Sequence, residues 1–260
     1  MPDDIQIIKE NVAGIPCLTC RAGGEQLRPL VVFCHGFTQR KEDASAQLRQ
    51  LSACGYLAVA LDNRLHGERP GPKFADIAIR DGKLDIYQIR KAIKETADDI
   101  VVIIDRLLND GRADLQRIAV TGVSMGGFIT FRALVIDSRI KVAAPMVGSP
   151  YWEDIPGDGP VMTGEEDLAR LKEFGEEFNP ARYPQRFFPR ALLIQIAEND
   201  RHVNGDNVKE FHSVLKHFYA PAPDLLKLIV HPQVGHEGAP EMWENAIRWM
   251  RTHLKRVIEK

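Results

Sequence analysis

Residues 120–128 read Val-Thr-Gly-Val-Ser-Met-Gly-Gly-Phe, so Ser124 stands at the centre of Gly-x-Ser-x-Gly. The run Arg117-Ile118-Ala119-Val120 before it has strand character, and Phe128-Ile129-Thr130-Phe131-Arg132-Ala133-Leu134 after it has helix character. In a strand–turn–helix setting this pentapeptide holds a serine on a sharp, strained turn with its hydroxyl exposed. Gly122 and Gly126 carry no Cβ atoms to collide across so tight a turn. The helix that begins beyond the serine points unpaired N–H groups toward any developing negative charge. The pentapeptide alone also occurs in ordinary loops; its flanks favour the nucleophile.

A serine hydroxyl is a weak nucleophile until a neighbouring base takes its proton. Of the eight histidines, His236 fits best, because Pro232-Gln233-Val234-Gly235-His236-Glu237 reads as a loop between the last strand and the last helix. That puts it on the same sheet edge as Ser124. His231 lies at a strand end, where packing is expected to fix it, and His212, His217 and His253 fall in helical runs. The acid that orients the base should follow an intermediate strand, in the chain order Ser, acid, His. Ala191-Leu192-Leu193-Ile194-Gln195-Ile196 leads into Ala197-Glu198-Asn199-Asp200, so Asp200 is the candidate, with Glu198 and Asp206 as alternatives. An oxyanion hole needs two backbone N–H groups, each worth about 3–4 kcal/mol of transition-state stabilisation. Met125, directly after the serine, would give one. Phe37, in the His35-Gly36-Phe37-Thr38 turn after an apolar strand, would give the other.

These groups need elements to carry them. Strand-like runs near residues 5–9, 16–21, 30–34, 57–61, 142–147, 191–196 and 226–230 alternate with helical patterns near 44–54, 89–108, 208–218 and 240–257. Pro240 suits the first turn of the last helix. Near-continuously apolar strands separated by helices predict a mostly parallel sheet covered on both faces, with the active site outside the carboxyl ends of its strands. Residues 150–190 interrupt the alternation. Thr163-Gly164-Glu165-Glu166 reads there as a capping box opening a helix, which Asn179-Pro180 closes. The expectation is one domain over residues 1–260 with a lid-like insertion at about 150–190, or a surface excursion without a binding role. Tyr151, Trp152, Met162, Phe174 and Phe178 would be wall residues of a lid.

Composition sets outer limits. With 44% hydrophobic and 27% charged residues the chain reads as an ordinary globular protein. A net charge of −2 gives no electrostatic case for nucleic acid or an anionic membrane. No segment approaches the roughly 20 apolar residues of a membrane span. Met1-Pro2-Asp3-Asp4-Ile5 has no apolar signal region, so the default expectation is cytoplasmic. Cys17 and Cys20 have C-x-x-C spacing, but a strand would put them on opposite faces, which predicts buried structural thiols.

Taken together, His35-Gly36-Phe37, Gly122-Val123-Ser124-Met125-Gly126-Gly127, Asp200 with Val203, and Gly235-His236 make the chain resemble the α/β-hydrolase superfamily over nearly its whole length. Within it the chain is similar to the serine-esterase and prolyl-oligopeptidase-like branch, near the dienelactone-hydrolase relatives. Asp62-Asn63-Arg64-Leu65-His66-Gly67-Glu68-Arg69 resembles a D-x-R-x-H-G-x-R stretch of small bacterial esterases there. The resemblance implies the α/β-hydrolase fold with a mostly parallel eight-stranded sheet and helices on both faces, and hydrolysis of a small-molecule ester with no cofactor and no metal. Dienelactone hydrolases proper use a cysteine nucleophile, so that reaction is not expected of Ser124. Arg64 and His66 follow a strand end and either touch substrate or brace the loop through Arg–carboxylate bonds, with Asp62 as a candidate partner. Short or medium acyl esters are the expected substrates. The rival readings are a serine peptidase of prolyl-oligopeptidase type, a metal-dependent hydrolase using Asp62, His66, Asp200 and His202, and a catalytically silent scaffold.

Overall fold

The computed structural model describes residues 5–23, 27–77, 79–80, 82–153 and 161–255. The acidic N-terminal residues 1–4, part of the 150–190 insertion and the last residues of the final helical pattern fall outside them. In chain order the elements are β1 (Gln6–Val12), β2 (Ile15–Arg21), β3 (Arg28–Cys34), a 3-10 turn (Lys41–Ala44) running into α1 (Ser45–Ala53), β4 (Leu57–Leu61), the short α2 (Phe74–Ile77), the two-residue strands β5 (Ile79–Arg80) and β6 (Lys83–Leu84), and α3 (Ile86–Asn109). They continue with β7 (Ala113–Val123), α4 (Met125–Ile136), β8 (Ile140–Met146), α5 (Glu165–Phe178), β9 (Ala191–Ala197), α6 (Gly205–Phe218), β10 (Leu226–His231) and α7 (Pro240–His253).

Eight strands form one sheet in the order β1-β2-β4-β3-β7-β8-β9-β10. All pairs from β4 to β10 are parallel, and β1 and β2 add an antiparallel edge. Every residue of β4 and β9 is buried, which explains their unbroken apolar sequences: both faces of such strands are covered. One face packs under α3, α4 and α6, with Ile93, Ile100, Ile104, Phe131 and Phe211 in its core. The other packs under α1 and α7, with Leu48, Leu51, Met242, Ala246 and Met250. Cys17 belongs to the first core and Cys20 to the second, as an odd offset along a strand requires. Both thiols are free, and burial pushes that of Cys17 up to about 12. No helix among the described residues is long and apolar enough to cross a membrane.

Two local expectations are corrected. The capping box at Thr163 does not form: Gly164 is the N-cap of α5 and no side chain caps it, so three acidic residues in the first turn are left to complement the helix dipole. Asp62 does not brace Arg64. Its carboxylate is taken by Lys41, whose Nζ lies 2.7 Å from Oδ2 with both side chains at 0% exposure.

That pair holds the loops after β3 and β4 together. Asp62 Oδ1 also accepts the Lys41 N–H at 2.9 Å and Oδ2 the Glu68 N–H at 2.8 Å. Burial alone would push the ammonium pKa down, but hydrogen bonds to Asp62, Glu42 and Glu68 hold it above the usual lysine value. Removing one partner of a buried pair costs about 3–5 kcal/mol; without Asp62, Lys41 keeps only the part-exposed Glu42 and Glu68, and the Lys41 and Glu68 N–H groups lose their acceptor. Asp62→Ala is therefore expected to lower the urea unfolding free energy by about that much, and adding Lys41→Met to restore part of it. A loss near zero in the single variant would contradict this account.

Candidate active site

Ser124 is the N-cap of α4 at the carboxyl end of β7, with φ +54° and ψ −115°. A non-glycine residue in that region carries strain of about 1–3 kcal/mol, so its neighbours must over-determine it. They do: the Ser124 N–H donates to Met146 O at 2.9 Å, and Ser124 O accepts the N–H groups of Gly127 at 2.8 Å and Phe128 at 3.1 Å. The glycines are required by proximity. A Cβ on Gly126 would collide with the Cys34 carbonyl of β3, and one on Gly122 would meet the same oxygen at 2.6 Å.

The Ser124 hydroxyl lies 2.7 Å from His236 Nε2. On the other side of the ring, Nδ1 lies 2.8 Å from Asp200 Oδ2 and 3.0 Å from Oδ1, so Nδ1–H donates to the carboxylate and Nε2 is left to accept from serine. His236 sits on the loop between β10 and α7, and Asp200 on the loop after β9. Asp200 Oδ1 also accepts the N–H groups of His202 at 2.8 Å and Val203 at 2.9 Å. Burial would raise the pKa of this carboxyl, but the bond from His236 and those backbone donors hold it below the usual aspartate value. The alternative acids are engaged elsewhere, Glu198 with the Gln233 N–H and Asp206 with Lys209.

Ser124 and His236 open into a cavity of about 580 Å³. Phe37 and Met125 line it, and among the described residues neither of their backbone N–H groups has a hydrogen-bond acceptor within the protein. Its apolar wall is completed by Ile86, Ile89 and Ile93 of α3 and Phe128 of α4, with Arg90 among them. Arg90 Nε donates to Trp152 O at 3.1 Å, and its guanidinium lies 4.3 Å from the Phe128 ring centroid. Sequence reading missed this helical wall. The pattern near 89–108 gives a helix, but whether an apolar face of that helix meets sheet or cavity depends on how far the helix overhangs the strands.

The residues proposed from sequence as substrate contacts lie outside the cavity lining. Trp152 is fully buried and stacks on Phe174 with centroids 5.9 Å apart. Phe174 also meets Tyr87 of α3, and Tyr151 packs edge-on against Phe211 of α6. Arg64 makes a bidentate pair with Asp99 of α3, Nε to Oδ2 at 2.7 Å and Nη2 to Oδ1 at 2.6 Å, so it braces the loop through Asp99 and not Asp62. His66 is buried, its Nδ1–H donating to Arg64 O at 2.8 Å and its Nε2 accepting the Thr38 N–H at 3.3 Å. Among the described residues no three His, Cys, Asp or Glu side chains converge as metal ligands.

A family model described as the alpha/beta hydrolase family matches residues 31–258. The chain belongs to the alpha/beta hydrolase family. Among curated relatives, YitV of Bacillus subtilis (strain 168) is 28% identical over 261 residues, covering 96% of this chain and all of that protein. Esterase YjfP of Escherichia coli (strain K12) is 24% identical over 96% of this chain and its own full length. The human acylamino-acid-releasing enzyme is 27% identical over 60% of this chain but only 23% of its own length. Among solved structures, TT1662 from Thermus thermophilus superimposes with a TM-score of 0.76 at 20% identity, over 97% of this chain and 99% of that one, which speaks to the shared fold. The relatives thus include an esterase-named protein matched over its full length and an acylamino-acid-releasing enzyme of which the chain spans less than a quarter.

A second buried histidine lies beside the loop that carries Phe37. His35 Nε2 accepts the Asn63 N–H at 3.0 Å, and Nδ1–H donates to Gly36 O at 2.7 Å. Burial pushes its pKa down from 6.5 to about 4, so the folded protein keeps the ring neutral. This contribution to stability is complete above the unfolded value of 6.5. As pH falls below it the unfolded chain takes up a proton that the folded one refuses, and the contribution is gone near pH 4. Between pH 7 and 5 the wild type is expected to lose about 2 kcal/mol that His35→Gln does not lose. Denaturant titrations of both proteins at the two pH values check this, and equal losses would refute it.

Proposed function

We propose that this chain is a serine carboxylic-ester hydrolase acting through an acyl-enzyme on Ser124. The observation that carries the reading is the relay in which Ser124 Oγ meets His236 Nε2 at 2.7 Å while His236 Nδ1 meets Asp200 at 2.8 Å, on the floor of a largely apolar cavity. His236 takes the serine proton as Oγ attacks the acyl carbon, then gives that proton to the leaving alcohol. Asp200 fixes the tautomer and stabilises the imidazolium. The carbonyl oxygen, negative in the tetrahedral intermediate, is met by the N–H groups of Met125 and Phe37. Water activated by His236 then hydrolyses the acyl-serine and regenerates the enzyme. Ile86, Ile89, Ile93 and Phe128 suit a short or medium acyl chain. The esterase name of YjfP, matched over its full length, supports the same class.

A second reading has one observation in its favour. The relation to the acylamino-acid-releasing enzyme raises amide hydrolysis, and comparing an ester with an amide of the same acyl group separates the two.

Hydrolysis of p-nitrophenyl esters from acetate to dodecanoate is the primary test. The wild type is expected to turn over short and medium esters, and Ser124→Ala to lose roughly a thousandfold or more in kcat. Turnover that survives the substitution would sink the serine mechanism.

A further inference from the structure

His66 lies outside the cavity lining and outside the relay, yet it is buried against the loop that carries Phe37. That loop is strained: Thr38 has φ +64°, and on the facing loop Leu65 has φ +67°. A β-branched residue in this region stays there only if its surroundings hold it. Two histidines do so reciprocally. His35, from the loop after β3, accepts the Asn63 N–H of the loop after β4, and His66, from the loop after β4, accepts the Thr38 N–H of the loop after β3. Their rings meet edge-on with centroids 5.4 Å apart. The peptide bearing the Phe37 N–H is thereby bracketed. Upstream, Gln39 Oε1 accepts the Gly36 N–H at 2.8 Å, and downstream, His66 Nε2 accepts the Thr38 N–H. The Phe37 ring is packed against Phe74 at 4.3 Å and against His66 itself at 5.9 Å.

We propose that His66 is a positioning residue for the oxyanion hole, aiming the Phe37 N–H by accepting the neighbouring Thr38 N–H on a neutral imidazole. The inference rests on the serine-hydrolase reading above. His66 touches no substrate; it acts through Thr38. The tautomer is fixed by the second bond, since Nδ1–H donates to Arg64 O and leaves Nε2 as acceptor. Burial, which disfavours the imidazolium, lowers the pKa of the ring and keeps that acceptor available. An oxyanion donor acts on the transition state and not on the bound ester, so displacing it lowers kcat and leaves KM in place.

Two variants separate the two ring nitrogens. Asn at position 66 matches Nδ1 and keeps the bond to Arg64 O but does not reach Thr38. Gln matches Nε2 and reaches Thr38. With p-nitrophenyl acetate, His66→Asn is expected to lose roughly 10- to 100-fold in kcat with KM within about threefold, and His66→Gln to recover most of that loss. An alkyl trifluoromethyl ketone, whose serine adduct places an oxyanion in the same hole, should bind His66→Asn more weakly by a similar factor. The proposal falls if His66→Asn keeps wild-type kcat, if the loss is in KM, if ketone affinity is unchanged while kcat drops, or if Gln is no better than Asn. Hydrogen exchange of the Thr38 amide in the wild type serves if a variant fails to fold: protection is expected, and exchange at the rate of an unstructured peptide overturns the inference. A wild type that neither hydrolyses esters nor binds the ketone would instead sink the serine-hydrolase reading, and this inference with it.

Discussion

The close approach of α4 to the sheet is the constraint on which the site depends. With no side chain at Gly126, the first turn of the helix lies directly over the Cys34 carbonyl of β3. The chain must therefore reverse from β7 into α4 within one residue, and that residue, Ser124, takes the φ +54° conformation. The strain is local and the support is not. Met146 of β8 holds the Ser124 N–H, and Ser124 O is spent on the first turn of α4. Two neighbouring strands and a helix together fix where the hydroxyl points, which is how a strained residue persists in a marginally stable fold.

The partners of Ser124 reach it because the sheet is parallel. Loops after β3, β7, β9 and β10 all leave from the same edge, so residues far apart in the chain converge without long excursions. The loops are then locked by polar groups buried with their partners. Lys41 and Asp62 tie the loop after β3 to the loop after β4 with charge, and His35 and His66 tie them again with neutral rings. Arg64 carries the second loop on to α3 through Asp99. The D-x-R-x-H-G-x-R stretch is thus a brace, each of its polar side chains engaged by another part of the backbone or by a buried charge.

The same logic explains what the 150–190 segment does in its described part. Its aromatic side chains face inward: Trp152 and Phe174 stack on each other, Phe174 leans on Tyr87, and Tyr151 meets Phe211. The segment supports the cavity from behind, with the Trp152 carbonyl holding Arg90 at the wall. Aromatic content alone cannot tell a binding wall from the core behind it, because both reward burial of large apolar surface.

Much of this protein was legible in the sequence. The alternation of apolar runs with helical periods gives the parallel sheet, because a strand covered on both faces has no polar side to show. Ser124, Asp200 and His236 could be singled out because each occupies a loop immediately after an apolar strand, in a fixed chain order. What only the tertiary structure decided were matters of direction and partner. Asp99 and not Asp62 pairs with Arg64, α3 and not the described part of the insertion lines the cavity, and His66 turns its acceptor to a backbone N–H. Periodicity records that a residue is buried, since burial repeats with the geometry of its own element. The identity of what it is buried against is set by other elements, and local sequence carries no signal for it.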